Sequence, residues 1–149
     1  MQPRALIASA RRLLGRGRKG KPRQSDLKRA MSTAYYAMFH ALCRNCADSF
    51  IGTNRASRSL RAWRQVYRSV DHGYAKAQCM NQRVMRLFPS DIKRFAVKLR
   101  ELQEQRLLTD YDPLSTFTRA DVQTAIKGLH NSNIRDRKAF AAWTVMKKR

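Results

Sequence analysis

Ser25-Asp26-Leu27-Lys28-Arg29-Ala30-Met31-Ser32-Thr33-Ala34-Tyr35-Tyr36-Ala37-Met38-Phe39-His40-Ala41-Leu42-Cys43, residues 25–43, reads as most of one long helix. Ser25 and Asp26 are residue types that cap helix N-termini. No Pro or Gly follows before Gly52, so the spacing predicts a helix of about seven turns ending near Ile51. With Met38 as origin and 100° per residue, Leu27, Met31, Ala34 and Leu42 fall within about 40° of it, an apolar seam fit for a core. Ala30, Ala37 and Ala41 flank the seam and let a neighbouring helix approach closely. Arg29, Tyr36 and His40 lie on the opposite side, with Cys43 nearby. Tyr36 and His40 are four apart and share one face. Either that face is buried too, or it does chemistry.

Outward from this helix the pattern stays helical. Residues 1–14 form a short amphipathic helix through Leu6, Ile7, Ala10, Leu13 and Leu14. Gly15-Arg16-Gly17-Arg18-Lys19-Gly20-Lys21-Pro22-Arg23 follows, with five basic residues and no acid, and reads as a flexible loop able to touch an anion. Beyond Gly52, Ser57 or Ser59 caps a second helix through Leu60, Trp63, Val66, Tyr67 and Val70, with Arg58, Arg61, Arg64 and Arg68 along its other side. Asp71-His72-Gly73-Tyr74 bends it into Ala75–Met80. Pro89-Ser90-Asp91 starts a third major helix, with Ser90 as cap, running to about Leu108. Thr118-Arg119-Ala120-Asp121 opens the last helix with Asp in place of the usual capping-box Glu, carried on through Val122, Ala125, Ile126 and Leu129. No β pattern and no internal repeat is present. The expected fold is an all-α, up-and-down bundle of four or five helices over residues 25–149, preceded by a basic helix and linker at 1–24.

Composition bounds the partners. Of 149 residues, 32 are Lys or Arg and 10 are Asp or Glu, a net charge of +22. Such a field attracts polyanions: RNA, DNA or an acidic protein. No run of about twenty apolar residues exists, so no membrane partner is expected. The short apolar patch at the start is broken by Arg4, Arg11 and Arg12, which does not make a signal peptide. Three cysteines, an odd number, fit a reducing cytoplasm.

The third helix holds the most pointed feature. With Leu99 as origin, Ile92 and Arg106 fall within about 20° and Phe95, Ala96 and Leu102 within about 60°. Arg106 thus occupies a core-stripe position, where a lone guanidinium is costly and calls for an anion. Asp110, four residues on, or Asp112 supplies it. Tyr111 and Pro113 are expected to pack beneath the pair. One reading is a buried ion pair that fixes the loop to the helix ends; the other is an anion or RNA-phosphate pocket. His40 and His72 are then the candidates for proton transfer near neutral pH.

Arg29 to Leu42, Arg-Ala-Met-Ser-Thr-Ala-Tyr-Tyr-Ala-Met-Phe-His-Ala-Leu, resembles the signature helix of the HEPN superfamily. Leu102 to Pro113, Leu-Gln-Glu-Gln-Arg-Leu-Leu-Thr-Asp-Tyr-Asp-Pro, resembles the second signature of one branch of it. The two occur in the right order, and the resemblance covers roughly residues 25 to 130. It implies an all-α bundle, often dimeric, of prokaryotic toxin–antitoxin, defence or RNA-processing systems. Active members are metal-independent ribonucleases whose arginine is followed, after four to six intervening residues, by a histidine. Arg106 matches the arginine; Asp110 stands near the histidine position, and an aspartate does not take over histidine's acid–base role near pH 7.

The expected function is therefore that of a cytoplasmic HEPN-like, RNA-associated protein that binds RNA or lacks the family's standard ribonuclease activity. Arg16, Arg18, Lys19, Lys21, Arg23, Arg29 and Arg106 are the expected anion contacts. His40, Arg106 and Asp110 are the catalytic candidates, with Tyr36, Tyr111 and Asp112 in support. A homodimer is expected. Two alternatives stand beside this: a helical module that binds an acidic antitoxin or nucleotidyltransferase partner, and a ribonuclease whose displaced histidine is His40. No cofactor or metal is expected. Cys43 and Cys46 form a Cys-x-x-Cys inside a helix, but no second ligand pair accompanies them, so free core thiols are expected.

Overall fold

A computed structural model describes residues 2–15, 20–127 and 134–146. Every regular element among them is a helix: α1 (Pro3–Leu13), α2 (Gln24–Ile51), α3 (Leu60–Ser69), α4 (His72–Met80), α5 (Gln82–Met85), α6 (Ser90–Tyr111), α7 (Arg119–Ile126) and α8 (Ile134–Val145). The all-α class is as expected. The helices number eight among the described residues rather than four or five, because the middle of the chain breaks where polar caps permit. Val70 is extended (φ −70°, ψ 114°), and Asp71 accepts from the Tyr74 amide to start α4 afresh instead of bending α3. Asn81 does the same for α5, accepting from Arg83 and Val84.

The chain forms two compact units, one from Met1–His40 with Lys98–Leu129 and one from Ala41–Val97 with His130–Arg149. In the first, the α2 seam is buried as the periodicity requires: Leu27, Met31, Ala34 and Met38 are each no more than 2% exposed. Leu99 and Leu102 of α6 and Val122, Ala125 and Ile126 of α7 complete this core. Helix α1 packs on α7 and buries Ala10 and Leu14. The start of α2 is fixed by one side-chain amide: Gln24 donates to the Phe117 carbonyl (2.8 Å) and accepts from the Phe117 amide (3.0 Å). Helix α2 begins one residue before Ser25, and the Arg23 carbonyl takes its first bonds, from Asp26 (3.1 Å) and Leu27 (3.0 Å). Ser25 is thus not the cap; Asp26 sits in the first turn, where its charge favours the helix dipole. Helix α7 carries the expected capping box, Thr118 with Asp121. It ends at Ile126, because Lys127 is extended (ψ 143°); the expected continuation to Leu129 does not form at Lys127, and Gly128 and Leu129 lie outside the described residues.

In the second unit, Phe140 of α8 meets Phe88 and Phe95 edge-on, with centroids 5.5 and 6.0 Å apart. Cys46 lies 3.5 Å from the Thr144 hydroxyl, and both are fully buried. Helix α2 stops where Gly52 adopts φ 117°, a left-handed conformation that glycine takes without Cβ strain. Its last turns carry Asp48, whose Oδ1 accepts from Arg58 Nη1 (2.9 Å) and Trp63 Nε1 (2.8 Å). Cys43, Cys46 and Cys79 are free and buried, and no group of three potential ligands able to hold a metal occurs among the described residues. No helix among the described residues is long and apolar enough to cross a membrane.

Candidate functional site

Helix α6 delivers Arg106 on the same stripe as Leu99 and Leu102, so its side chain enters the first unit instead of solvent and is 18% exposed. Helix α2 meets it with two consecutive tyrosines. The guanidinium carbon lies 5.1 Å from the Tyr35 ring centre and 5.6 Å from that of Tyr36, within cation–π range. The Tyr36 hydroxyl accepts from Arg106 Nη1 at 3.1 Å. Asp110, one helical turn on, receives the same nitrogen at 3.4 Å. Thr109 lies beside it, its hydroxyl donating to the Arg106 carbonyl (2.7 Å) and standing 3.2 Å from Asp110 Oδ1. Arg106 Nε is buried with no acceptor among the described residues. A guanidinium has five N–H donors, and among the described residues Nη1 alone is engaged.

His40 adjoins this group through Tyr36. Their ring centres are 6.4 Å apart, tilted by 35°, and Phe39 stands edge-on to His40 at 6.2 Å. Burial lowers the His40 pKa below its usual 6.5, so the imidazole is neutral near pH 7. A neutral imidazole accepts a proton and does not supply positive charge.

The structure therefore brings Arg106, Asp110 and Tyr36 together and sets His40 beside Tyr36. It does not bring in the others. Tyr111 is 78% exposed and does not pack beneath the pair, because α6 runs on through it and the helix turns its side chain outward. Pro113 is exposed as well. Asp112 is not the partner of Arg106: its carboxylate accepts from the Leu114 amide (2.9 Å) in a turn, and its carbonyl accepts from Lys28 Nζ (3.4 Å). Lys21, Arg23 and Arg29 are exposed, and Arg16, Arg18 and Lys19 lie outside the described residues. Tyr35 is the participant that sequence reasoning passed over. It lies about 60° from Met38 on the helix, just outside the seam as drawn, and is 1% exposed. A wider stripe finds it.

Comparison of the chain with protein-family models, curated proteins and solved structures finds no match. What the site is able to do follows from its own geometry. A guanidinium is a donor group of the kind that pairs with oxyanions, and this one is braced by two aromatic rings and tied through Nη1.

Proposed function

We propose that this chain is a HEPN-like, RNA-associated protein of a toxin–antitoxin or defence type, in which Arg106 contacts an RNA phosphate. The observation that carries the reading is the partly satisfied guanidinium of Arg106, held at 3.1 Å by Tyr36 in a chain of net charge +22. The field gathers RNA, and the braced arginine gives one contact a fixed direction. The exposed Lys21, Arg23 and Arg29, with Arg16, Arg18 and Lys19, add unoriented phosphate contacts. In this reading the protein works in the cytoplasm as a homodimer and binds RNA without the standard ribonuclease chemistry, since Asp110 is engaged by Arg106 and is no histidine.

A second reading has its own support. Leu107 (38% exposed), Leu108 (42%), Tyr111 (78%) and Leu114 (87%) place apolar surface at the end of α6 and just after it. Such surface suits a protein partner, an antitoxin or nucleotidyltransferase, or a second copy of the chain. The test is fluorescence anisotropy with a labelled single-stranded RNA over a salt series. A steep loss of affinity with salt, lessened in Arg106→Ala, is the expected result. Weak binding that salt leaves unchanged refutes RNA association and leaves the partner reading. Incubating RNA with wild type, Arg106→Ala and His40→Ala decides the displaced-histidine ribonuclease: cleavage lost in both variants supports it, and equal cleavage in all three marks a contaminant.

A further inference from the structure

Helix α3 is the one helix among the described residues with no fully buried residue. It is nonetheless firmly placed. Ser59 caps it by accepting from the Ala62 amide, and Asp48 clamps its start through Trp63. Arg58, just before it, is 11% exposed, bonds Asp48 and the Gly52 carbonyl (3.1 Å), and stacks on Trp63 at 4.5 Å. Arg44 also reaches Asp48, at 3.6 Å. The Asp48 carboxylate is thereby occupied, no Asp or Glu occurs from residue 49 to 70, and Asp71, just beyond α3, caps α4 by accepting from the Tyr74 amide.

Arg61, Arg64, Gln65 and Arg68 are all exposed and fall within about 100° of the helix surface, opposite Ala62, Trp63, Val66 and Tyr67. With no acid on α3, no pair one turn apart neutralises them, and none of the three arginines forms an ion pair among the described residues. From Arg61 to Arg68 the helix rises about 10 Å. In double-stranded DNA one strand carries a charge per about 3.4 Å of axis, and at a spacing of that order the row matches roughly three phosphates of a strand.

We infer that this outward face of α3 is a second RNA-contacting surface, one that grips successive phosphates of a strand without reading bases. The inference rests on the RNA reading of the chain but not on Arg106. Charge complementarity selects a polyanion. Within the arc of the three arginines there is no apolar or aromatic side chain, Leu60 (53% exposed) lying about 40° beyond Arg64 at its edge, and this favours a phosphate backbone over an acidic protein, whose interfaces are centred on such anchors. Trp63 and Tyr67, the aromatic residues of α3, are half-buried on its other side.

The experiment compares wild type with the triple variant Arg61→Gln, Arg64→Gln, Arg68→Gln. It measures binding of a labelled oligouridine over a salt series, with a thermal melt of each protein. The slope of log K against log salt is expected to fall by about 2 in the triple variant, at about 0.7 per contact on a single strand. Arg64→Gln alone is expected to lower it by about 0.7, which keeps the test decisive if the triple variant fails to fold. Arg58→Gln is expected to melt lower with its slope unchanged. Wild-type binding with an unchanged slope in the Arg64 and triple variants overturns the α3 inference alone. No wild-type binding overturns it together with the RNA reading. Unchanged RNA binding with lost binding of polyglutamate overturns it in favour of an acidic protein partner.

Discussion

Replacing Arg106 with Met separates a binding residue from a structural ion pair, because the two roles place the cost in different measurements. The Nη1 bond to Tyr36 is charge-assisted, worth about 1.5–3 kcal/mol net. The ring contacts with Tyr35 and Tyr36 add about 0.5–1 kcal/mol each. The Asp110 bridge is long, and its carboxylate is 39% exposed, so it contributes about 0.2–1 kcal/mol. Against these stand the buried Nε without an acceptor, about 1–3 kcal/mol, and the desolvation of a guanidinium that is 18% exposed, several kcal/mol more. The two sides come close to cancelling. Met at the same stripe position recovers apolar burial worth about 1.5–3 kcal/mol with no charge to desolvate.

Arg106→Met is therefore expected to be no less stable than wild type and to gain up to about 1.5–3 kcal/mol, a Tm higher by up to about 3–12 °C for a chain of this size. RNA affinity at low salt is expected to fall by about tenfold or more through the loss of one charge-assisted contact. Circular-dichroism melts and anisotropy titrations on the same preparations provide both quantities. A Tm lowered by more than about 8 °C, with RNA affinity unchanged where the variant is folded, refutes the reasoning. Arg106 is then a packing device and the phosphate contact is elsewhere.

Asp48→Asn strips Arg58 of its anion while keeping one acceptor for Trp63. Since Asp48 is 24% exposed and the Gly52 carbonyl still serves Arg58, the loss is expected near the low end for a broken buried pair, about 2–3 kcal/mol, seen as a Tm drop of about 4–10 °C. Burial pushes the thiols of Cys43, Cys46 and Cys79 up to about 12, about 11 and about 12, so a disulfide reagent at pH 8 is expected to label none of them quickly until denaturant is added. Rapid labelling of the native protein contradicts their burial. His40 has a folded pKa below its unfolded 6.5, so the unfolded chain takes up the proton first as pH falls. Its contribution is fully present above pH 6.5 and is lost as pH drops through the folded pKa; Tm measured against pH is expected to fall less steeply over that window in His40→Gln than in wild type.

The parts of the fold legible in the sequence are those set by local spacing. The α2 seam is buried residue by residue, and Arg106 with Asp110 pairs because four residues make one turn. Where helices begin and end is not set by that spacing. Tyr111 is a case in point. In a loop after Leu108, its ring could fold back under Arg106. Inside a helix running to Tyr111, it stands five residues and about 140° from Arg106, and no loop geometry brings it back. Ser25 and Val70 fail for a similar reason. Backbone carbonyls and a competing cap at Asp71 decide those boundaries, and neither is visible in a hydrophobic period. Tyr35 shows a further limit: the amphipathic tyrosine counts as apolar or polar according to what its ring meets, and it meets a guanidinium from α6.

The arginines of α3 and Arg106 are thus of two physical kinds. Those of α3 are exposed and unbraced, so each lends charge but no fixed direction, and salt screens that charge over about 8 Å at physiological ionic strength. Arg106 is mostly removed from solvent, fixed by Tyr35, Tyr36 and Asp110, and its rotamers are already restricted before anything binds. Ordering a free arginine on a ligand costs about 0.5–1.5 kcal/mol, a cost that the fold has already met at Arg106. A net charge of +22 explains attraction to any polyanion, whatever its shape. Only a side chain held in one orientation is able to favour one placement of a phosphate over another, and among the described residues of the first unit the tyrosine-braced guanidinium of Arg106 meets that requirement.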